Sequence, residues 1–334
     1  MPRFQTKLLS NLDVEKLVSF EEVVDTVEKT WSESARGRVV NPAKLGLDLG
    51  ESGAWPNYNG FMNAMPAYVG WLDVAGLKWA GGFWDNVNLG IPSVWGLILL
   101  IDPRTGVFRA VIDGAHITSL RTAAQTVVGI KHMAKKSFET IGIFGAGNQV
   151  RFHALMFSES FKEKEIRVYD IRKETAEKIV REITDKTSVK ITACEAPQEC
   201  AKVDVIVTLT TSKTPFLKAE WVRDGQLIVA LGSYQEVYPD AIMKAHKIVV
   251  DHLAQTLHRG ALRILAEKGR ISEKDIYATI GEITAGFKPG REKENEIIFF
   301  EPVGTAMLDI AVGGLVYKKA TDRGLGEQFE FFRL

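Results

Sequence analysis

Lys78 occupies a sequence environment that suggests chemistry. The stretch GLKWAGGFWDN, residues 76–86, surrounds this lysine with residues that are mostly apolar, aromatic or glycine. One interpretation is an edge-strand lysine whose stem packs on a tryptophan. The other is a functional ammonium group, which holds a substrate carboxylate or carbonyl, or passes a proton at a lowered pKa in a partly dry pocket.

Arg121 is a second cation whose position suggests a ligand, because it comes early in a helix predicted to begin near Thr118 or Ser119. The first turn of a helix carries partial positive charge, so an arginine there is unfavourable unless an anion compensates it. A guanidinium group can bind a carboxylate through two hydrogen bonds, although the arginine can also simply extend to solvent. Thr122, beside it, can contact a pyrophosphate. Lys44, in NPAKLGLDLG, is a third candidate cation.

The segment TIGIFGAGNQVRFHALMF predicts a dinucleotide site. A β-prone run leads into Gly145 and Gly147; the first glycine permits a tight turn, and the second lets a pyrophosphate approach the N-terminus of the following helix. Val150 replaces the third glycine of the usual pattern. The next strand ends at Asp170, where a carboxylate can accept hydrogen bonds from a ribose. The Asp170 carboxylate favours NAD over NADP, but the nearby Arg172 leaves NADP open. The alternative to a dinucleotide site is a glycine-rich turn that binds no ligand.

The elements that must position these residues follow two patterns. From about residue 118, helical stretches alternate with the short apolar runs TIGIF, EIRVYD, VKITAC, DVIVTLT, QLIVAL and KIVVD. Six strands with helical crossovers predict a doubly wound parallel sheet of the Rossmann type. The preceding region begins with an amphipathic helix, FEEVVDTVEKTWSESARG, and contains a predicted hairpin formed by VWGLILLID and VFRAVID. We therefore predict an α/β fold in which residues 118–304 form the dinucleotide-binding domain, and residues 1–117 with the C-terminal helix in 305–334 form the other domain.

The composition excludes several classes of protein. The 334 residues include 42 basic and 42 acidic side chains, so their charges cancel and nothing indicates a nucleic-acid partner. No stretch reaches the ~20 apolar residues of a membrane span. Cys194 and Cys200 form no disulfide framework or zinc pattern, and the histidines form no paired metal motif. We expect a soluble, cytoplasmic protein without a metal.

Several segments, taken in order, resemble the ornithine cyclodeaminase/mu-crystallin family over almost the whole chain. They are NAMPAYVG, GLKWAGGFWDN, GIPSVWGLILLIDPRTGVFRAVIDGAHITSLRTAA, IGIFGAGNQVRFHALMF, VTLTTSKTP and GTAMLDIAVG. The pair LRTAA and GAGNQ is specific to that family rather than to Rossmann proteins at large. The resemblance implies an α+β substrate-binding and dimerisation domain, an NAD(P)-binding Rossmann domain, a homodimer, and hydride-transfer reactions that interconvert amino and imino acids.

The resemblance also implies roles for individual residues. Lys78 matches the active-site lysine of the family, Arg121 the arginine that binds the substrate carboxylate, and Lys44 a basic residue directed at the same carboxylate. The remaining matched positions belong to cofactor binding, and they are Ser93, Thr122, Asn148, Gln149, Asp170, Thr211, Leu231, Gly232 and Ser233.

One segment departs from the family pattern. Ornithine cyclodeaminases and archaeal-type alanine dehydrogenases carry an aspartate soon after the strand that corresponds to QLIVALG, whereas this chain continues SYQEVYPDA. Tyr234 aligns with that aspartate, and Glu236 lies two residues further on. The departure argues against ornithine as the substrate but not against imine chemistry, because ketimine reductases of the family also lack the aspartate.

The sequence therefore predicts an NAD(P)-dependent oxidoreductase that acts on the C–N bond of a small amino or imino acid, as an imine reductase or an amino-acid dehydrogenase. Lys78, Arg121 and Lys44 would fix the carboxylate, and Lys78, Tyr234 or Glu236 would relay a proton. The alternatives are a true ornithine cyclodeaminase, which would form proline and ammonia, and a non-catalytic protein that binds the cofactor.

Overall fold

Two units, each with its own sheet, make up the computed structural model, which describes residues 4–50, 55–232 and 234–332. Unit 1 comprises Met1–Arg121 and Thr305–Leu334, and unit 2 comprises Thr122–Gly304. The boundary between them falls inside one long helix. Among the described residues, no helix combines the length and the apolar character that crossing a membrane requires.

Unit 1 is built on a mixed sheet whose order is β16-β1-β7-β6-β5-β4-β2, with β3 also paired to β4. Its strands are β1 (Phe4–Leu9), β2 (Val39–Val40), β3 (Leu45–Asp48), β4 (Gly60–Val69), β5 (Val74–Phe83), β6 (Val94–Ile101), β7 (Phe108–Asp113) and β16 (Glu327–Phe332). Its helices are α1 (Asn11–Leu17), α2 (Phe20–Ala35), the start of α3 (Gly114–Met133) and α11 (Ala306–Asp322). The predicted hairpin is present as the antiparallel pair β6–β7.

The helix α11 lies against β4, β5 and β6, and its first three turns are almost wholly buried. It is apolar on all sides there, as expected of a helix enclosed by other elements. Asp309 is the only charged residue between Ala306 and Val316. The C-terminal region also contributes β16, which pairs antiparallel with β1 and which the sequence did not indicate.

Unit 2 contains an eight-stranded parallel sheet in the order β10-β9-β8-β11-β12-β15-β13-β14, which confirms the predicted doubly wound fold. Its strands are β8 (Thr140–Phe144), β9 (Glu165–Tyr169), β10 (Ile191–Ala193), β11 (Val205–Thr208), β12 (Leu227–Ala230), β13 (Lys247–Val250), β14 (Ala278–Thr279) and β15 (Ile298–Glu301). Its helices, besides the rest of α3, are α4 (Asn148–Ser160), α5 (Lys173–Thr184), α6 (Pro197–Ala201), α7 (Pro239–Ile242), α8 (Leu253–Thr256), α9 (Arg263–Glu267) and α10 (Ile280–Thr284).

The central strands of this sheet are buried along their whole length, which explains their largely apolar sequences. Because all eight strands are parallel, the loops that follow β8, β9, β11 and β12 emerge at the same edge of the sheet. Ligands of open parallel sheets bind at this edge. The fold therefore brings the predicted cofactor loops of unit 2 to one side.

The helix α3 begins earlier than the sequence indicated. It starts at Gly114, where the Asp113 carboxylate accepts a hydrogen bond from the His116 amide at 2.7 Å and caps the helix. Thr118 and Ser119 lie inside the helix and donate back to the carbonyl groups of the preceding turn. The expectation that Arg121 lies in the first turn is therefore wrong: it is one full turn further along, so the partial charge of the helix terminus does not explain it.

Candidate active site

In unit 1, one carboxylate oxygen joins the two cations that the sequence had singled out. The Lys78 ammonium donates to Asp309 Oδ1 at 2.8 Å, and the Arg121 Nε donates to the same oxygen at 3.0 Å. Lys78 is 2% exposed, Arg121 7% and Asp309 0%. The three side chains come from β5, α3 and α11, so they form a buried charge cluster that is assembled from three distant parts of the chain.

Lys78 is not the edge-strand lysine of the simpler interpretation. It lies in the middle of β5, where its neighbours across the sheet are Met65 on β4 and Ile98 on β6. Residues directly opposite each other point to the same face of a sheet, so these buried apolar side chains flank the lysine. The ammonium group therefore has no route to solvent along the strand, and its charge must be satisfied inside unit 1.

The electrostatics of the cluster leave one positive charge uncompensated. Burial lowers the pKa of Lys78 to about 8; the Asp309 carboxylate acts in the opposite direction, and the Arg121 charge lowers the pKa further. Burial alone would raise the pKa of Asp309, but Arg121 and Lys78 reverse this effect, so that the pKa is lower than usual. Two cations face one anion, and an uncompensated charge in a buried place is costly. The cluster is thus suited to receive one more negative charge.

Asp309 is the residue of this cluster that sequence analysis missed. The sequence predicts a substrate carboxylate as the partner of Lys78, whereas the structure shows a carboxylate of the protein in contact with it. The other Asp309 oxygen, Oδ2, and the Thr305 hydroxyl oxygen are buried without a hydrogen-bond partner among the described residues. The available signal was a single acid within the apolar run AMLDIAVGGLV.

Two further predicted residues of unit 1 lie beside its strands. Lys44 is half-buried and directly precedes β3. Ser93 directly precedes β6, and its carbonyl oxygen accepts a hydrogen bond from the Phe83 amide at 2.7 Å, which closes the end of the β5–β6 pair. Their roles toward a substrate or a cofactor stay predictions.

In unit 2, two glycines shape the turn between β8 and α4. Gly145 has a φ of +107°, and a side chain there would also meet the Leu209 carbonyl oxygen at 3.0 Å. Gly147 is the N-cap of α4; no side chain caps the helix, and a Cβ at this position would have nothing within 4 Å. There is therefore room beside Gly147 at the start of α4, and the N-termini of helices are places where phosphates bind.

Asp170 follows β9 and is fixed beside this turn. One carboxylate oxygen accepts a hydrogen bond from the Ala146 amide at 2.9 Å, and the other accepts one from the Arg172 amide, also at 2.9 Å. The carboxylate retains acceptor capacity for the hydroxyl groups of a ribose. The Arg172 side chain is largely exposed and extends no closer than 4.0 Å to Asp170. The residues present at this end of the sheet therefore fit a dinucleotide with a free ribose 2′-hydroxyl.

A buried histidine, which no sequence pattern indicated, contacts the first turn of α4. His153 Nδ1 lies 2.9 Å from the Gln149 carbonyl oxygen, and Nε2 lies 3.0 Å from the Thr126 hydroxyl oxygen. Burial lowers the pKa of His153 to about 4, so the ring is neutral near pH 7, with Nδ1 as donor and Nε2 as acceptor. The histidine joins α4 to α3 within unit 2. The Gln149 side-chain oxygen is buried and unpartnered among the described residues, while Asn148 is exposed.

Glu236 binds the two loops that follow β11 and β12. Its carboxylate accepts hydrogen bonds from the Thr208 hydroxyl at 2.6 Å, from the Thr210 amide at 2.7 Å and hydroxyl at 2.6 Å, and from the Gly232 amide at 2.9 Å. Burial raises the pKa of Glu236, and these four donors only partly counteract the effect. Every donor belongs to unit 2, so the carboxylate has a structural task that the sequence did not indicate.

The other predicted residues of these two loops are distributed as follows. Thr211 is exposed in the loop after β11, and Leu231 is half-buried directly after β12. Tyr234 is half-buried, with the Lys213 ammonium 5.8 Å from the centre of its ring. Ser233 lies outside the described residues.

Comparison with known proteins places this geometry in context. The model of the ornithine cyclodeaminase/mu-crystallin family matches residues 4–324. An alanine dehydrogenase of Archaeoglobus fulgidus is 36% identical over 335 residues, which cover 99% of this chain and 100% of that protein.

Two solved structures resemble the fold over nearly the whole chain. An archaeal alanine dehydrogenase dimer with bound NAD has a TM-score of 0.91 and 36% identity, and the match covers 98% of this chain and 100% of that one. The Δ1-pyrroline-2-carboxylate reductase of Thermococcus litoralis, in complex with NADH and L-proline, has a TM-score of 0.90 and 33% identity, with coverage of 96% and 99%.

Proposed function

The chain belongs to the ornithine cyclodeaminase/mu-crystallin family, and from this premise we propose that it is an NAD(P)-dependent oxidoreductase acting on the C–N bond of a small amino or imino acid. It works as an imine reductase or an amino-acid dehydrogenase. The observation that carries the proposal is the buried cluster in which two cations, Lys78 and Arg121, share one oxygen of Asp309.

The substrate carboxylate is the anion that this cluster lacks. Two positive charges and one negative charge leave a net charge of +1, and an amino or imino acid brings one carboxylate. Arg121 donates to Asp309 through Nε, so its terminal nitrogens can bind a second carboxylate. Lys44, which precedes β3, is the third cation of this site. Water is largely excluded around Lys78, which strengthens the attraction between these charges.

Unit 2 holds the cofactor. The N–H groups at the start of α4 bind the pyrophosphate, Asp170 accepts hydrogen bonds from the ribose, and NAD is favoured over NADP because a carboxylate repels a 2′-phosphate. The other cofactor-binding positions are Ser93, Thr122, Asn148, Gln149, Thr211, Leu231, Gly232 and Ser233. When bound, the nicotinamide supplies or accepts the hydride. Two similar proteins of known structure contain NAD or NADH, which supports this assignment.

Lys78 handles the proton of the reaction. A group whose pKa is about 8 can both give and accept a proton near neutral pH. Tyr234 is the second candidate for this task. Glu236 acts through the cofactor loops rather than on the substrate, because its carboxylate is already bound to four donors. This also favours the reductase over an ornithine cyclodeaminase, in which an acid must be free to bind the distal amine.

A homodimer is the proposed assembly, with unit 1 as the dimerisation domain. The face of its sheet opposite Lys78 exposes a row of large apolar side chains: Leu45 is 73% exposed, Leu97 55%, Leu47 49%, Trp95 48% and Trp79 44%. These residues lie side by side on β3, β5 and β6. Large exposed apolar surfaces mark interaction sites, and the similar archaeal alanine dehydrogenase is a dimer.

The proposed compartment is the cytoplasm. Cys194 and Cys200 are both free and buried. Free cysteines are typical of proteins from a reducing compartment.

An assay with two readouts tests the proposed activity. Purified protein is incubated with NADH or NADPH and a panel of cyclic imino acids, or 2-oxo acids with ammonia, and cofactor oxidation is followed. In parallel, ornithine and NAD⁺ are tested for ammonia and proline. We expect net oxidation of reduced cofactor, lost in Lys78→Met and retained in the exposed control Lys318→Met. Ammonia and proline without net oxidation would identify a cyclodeaminase. No turnover despite tight cofactor binding would favour the non-catalytic alternative.

A further inference from the structure

Asp309 is the residue through which Lys78 and Arg121 are held together. Both cations donate to the same oxygen, Oδ1, at 2.8 and 3.0 Å. At these distances both contacts are direct. The relative position of the ammonium and the guanidinium group is therefore set by a single atom of α11.

The helix holds that atom in a rigid setting. Asp309 is fully buried in the first turn of α11, and its neighbours Leu308 and Ile310 are fully buried as well. The Met307 amide donates to the Asn41 side chain at 2.9 Å, which fixes the start of the helix to the segment before β3. Asp309 has no contact with solvent, so its place is determined by packing on all sides.

Within the part of the chain that the structure describes, two charged groups act on Lys78. They are Asp309 on α11 and Arg121 on α3, while the strands on either side present the apolar Met65 and Ile98. Removal of Asp309 would leave two buried cations next to each other. Each would then favour loss of the other's charge, and Lys78 is the one that can release a proton, because arginine stays charged.

We propose that Asp309 is a positioning residue for the proposed reaction, which aligns Lys78 with Arg121 and keeps the lysine protonated until the substrate carboxylate arrives. The inference rests on the proposed function for its purpose, but the contacts that carry it are independent of the substrate. It assigns to α11, the last helix of the chain, a task in the chemistry of a lysine that precedes it by 231 residues.

The direct test is a titration of Lys78 in the substrate-free protein. Protein labelled with ¹³C at lysine Cε is followed by NMR from pH 6 to 11, and the Lys78 signal is assigned by its loss in Lys78→Arg. In the wild type, burial predicts a midpoint near the pKa of about 8. In Asp309→Asn we expect the midpoint to fall by at least about one pH unit. An unchanged midpoint in Asp309→Asn would overturn the proposal.

Two further variants keep the test decisive if Asp309→Asn does not fold. In Arg121→Gln the competing cation is absent and Asp309 faces Lys78 alone, so the Lys78 midpoint should rise; no rise would contradict the shared-oxygen account. The matched control is Asp322→Asn, which removes an exposed acid from the last turn of the same helix, where it pairs with Lys318. It should leave the Lys78 titration unchanged.

Activity provides the complementary readout. The pH profile of kcat/KM should have an inflection at the Lys78 midpoint, and this inflection should shift with the midpoint in Asp309→Asn. If Asp309 had a purely structural role, its loss would lower kcat/KM equally at all pH values. If the wild type lacks turnover on every substrate while the titration shifts as expected, the proposed function fails and the positioning role stands. If the wild type turns over a substrate but the Lys78 midpoint does not move in Asp309→Asn, the proposed function stands and the positioning role fails.

Discussion

Gly232 and Glu236 are in such close contact that a side chain at position 232 would have to displace the Glu236 carboxylate. The Gly232 amide donates to the Glu236 carboxylate at 2.9 Å, and a Cβ at position 232 would lie 2.3 Å from the same carboxylate oxygen. Glu236 also binds Thr208 and Thr210, so it holds together two neighbouring loops at the carboxyl edge of the parallel sheet. The shape of the proposed cofactor site therefore depends on a glycine and on a buried acid.

Gly232→Ala should weaken cofactor binding. The added methyl group must displace the buried carboxylate, which breaks its bonds to both loops. We expect the Kd for NADH, measured by fluorescence titration, to rise by roughly 10-fold or more, which corresponds to about 1.4 kcal/mol. Glu236→Gln keeps one oxygen acceptor and should have a smaller effect. An unchanged Kd in a Gly232→Ala protein that melts like the wild type would refute this account of the loops.

Arg121→Lys should impair substrate binding although it preserves the charge. Lysine lacks the planar fork that can donate to Asp309 and to a substrate carboxylate at the same time. Since a hydrogen bond to a charged group contributes ~1.5–3 kcal/mol, kcat/KM should fall roughly 10- to 100-fold. The loss should appear mainly in KM for the amino or imino acid, with the KM for NADH unchanged. A loss confined to NADH would place Arg121 at the cofactor instead.

Asp170→Asn should relax the choice between NADH and NADPH. The variant removes the negative charge that opposes a 2′-phosphate but retains an acceptor for the backbone amides of Ala146 or Arg172. We expect the preference for NADH over NADPH, as a ratio of kcat/KM values, to decrease by at least about 10-fold. Arg172→Ala is the matched control, and it should affect NADPH alone. A wild-type enzyme that prefers NADPH would contradict the assignment of Asp170.

The buried His153 predicts acid sensitivity with a defined sign. Its pKa is about 4 in the folded protein and 6.5 in an exposed histidine, so the unfolded chain takes up the proton first as the pH falls. The contribution of His153 to the free energy of unfolding should therefore be fully present above pH 6.5. It should be lost as the pH falls toward 4, which lowers the free energy of unfolding by up to ~3 kcal/mol. His153→Gln should show a smaller decrease, measured by urea denaturation at several pH values. Equal slopes in both proteins would argue against a neutral, buried ring.

The local patterns of the sequence were sufficient to predict the parallel sheet of unit 2 and the glycine turn after its first strand. The strand TIGIF, the glycines 145 and 147, and the acid at the end of β9 follow one another within 31 residues, and each has a local physical reason. The central strand β15 was missed. Its three apolar residues and one glutamate follow a charged loop, and periodicity cannot distinguish so short a buried run from a helix or loop.

The sequence predicts the cations of the charge cluster but not its anion. Lys78 is conspicuous because a cation among apolar residues is unusual. Its partner Asp309 is 231 residues away and cannot be inferred from spacing. The same holds for Glu236, whose bonds to Thr208 and Gly232 depend on how two loops are brought together by parallel strands. Contacts between distant segments are consequences of the tertiary fold, and no periodicity in one sequence records them.

The most direct test of the central claim follows the hydride itself. The protein is incubated with NADH that carries deuterium at C4 of the nicotinamide, separately in each stereochemical form, and with the best imino-acid substrate from the panel. The amino-acid product is analysed by mass spectrometry and NMR. We predict that one of the two forms transfers its deuterium to the α-carbon of the product, and that Lys78→Met abolishes this transfer. A product without deuterium at the α-carbon from either form would contradict the account.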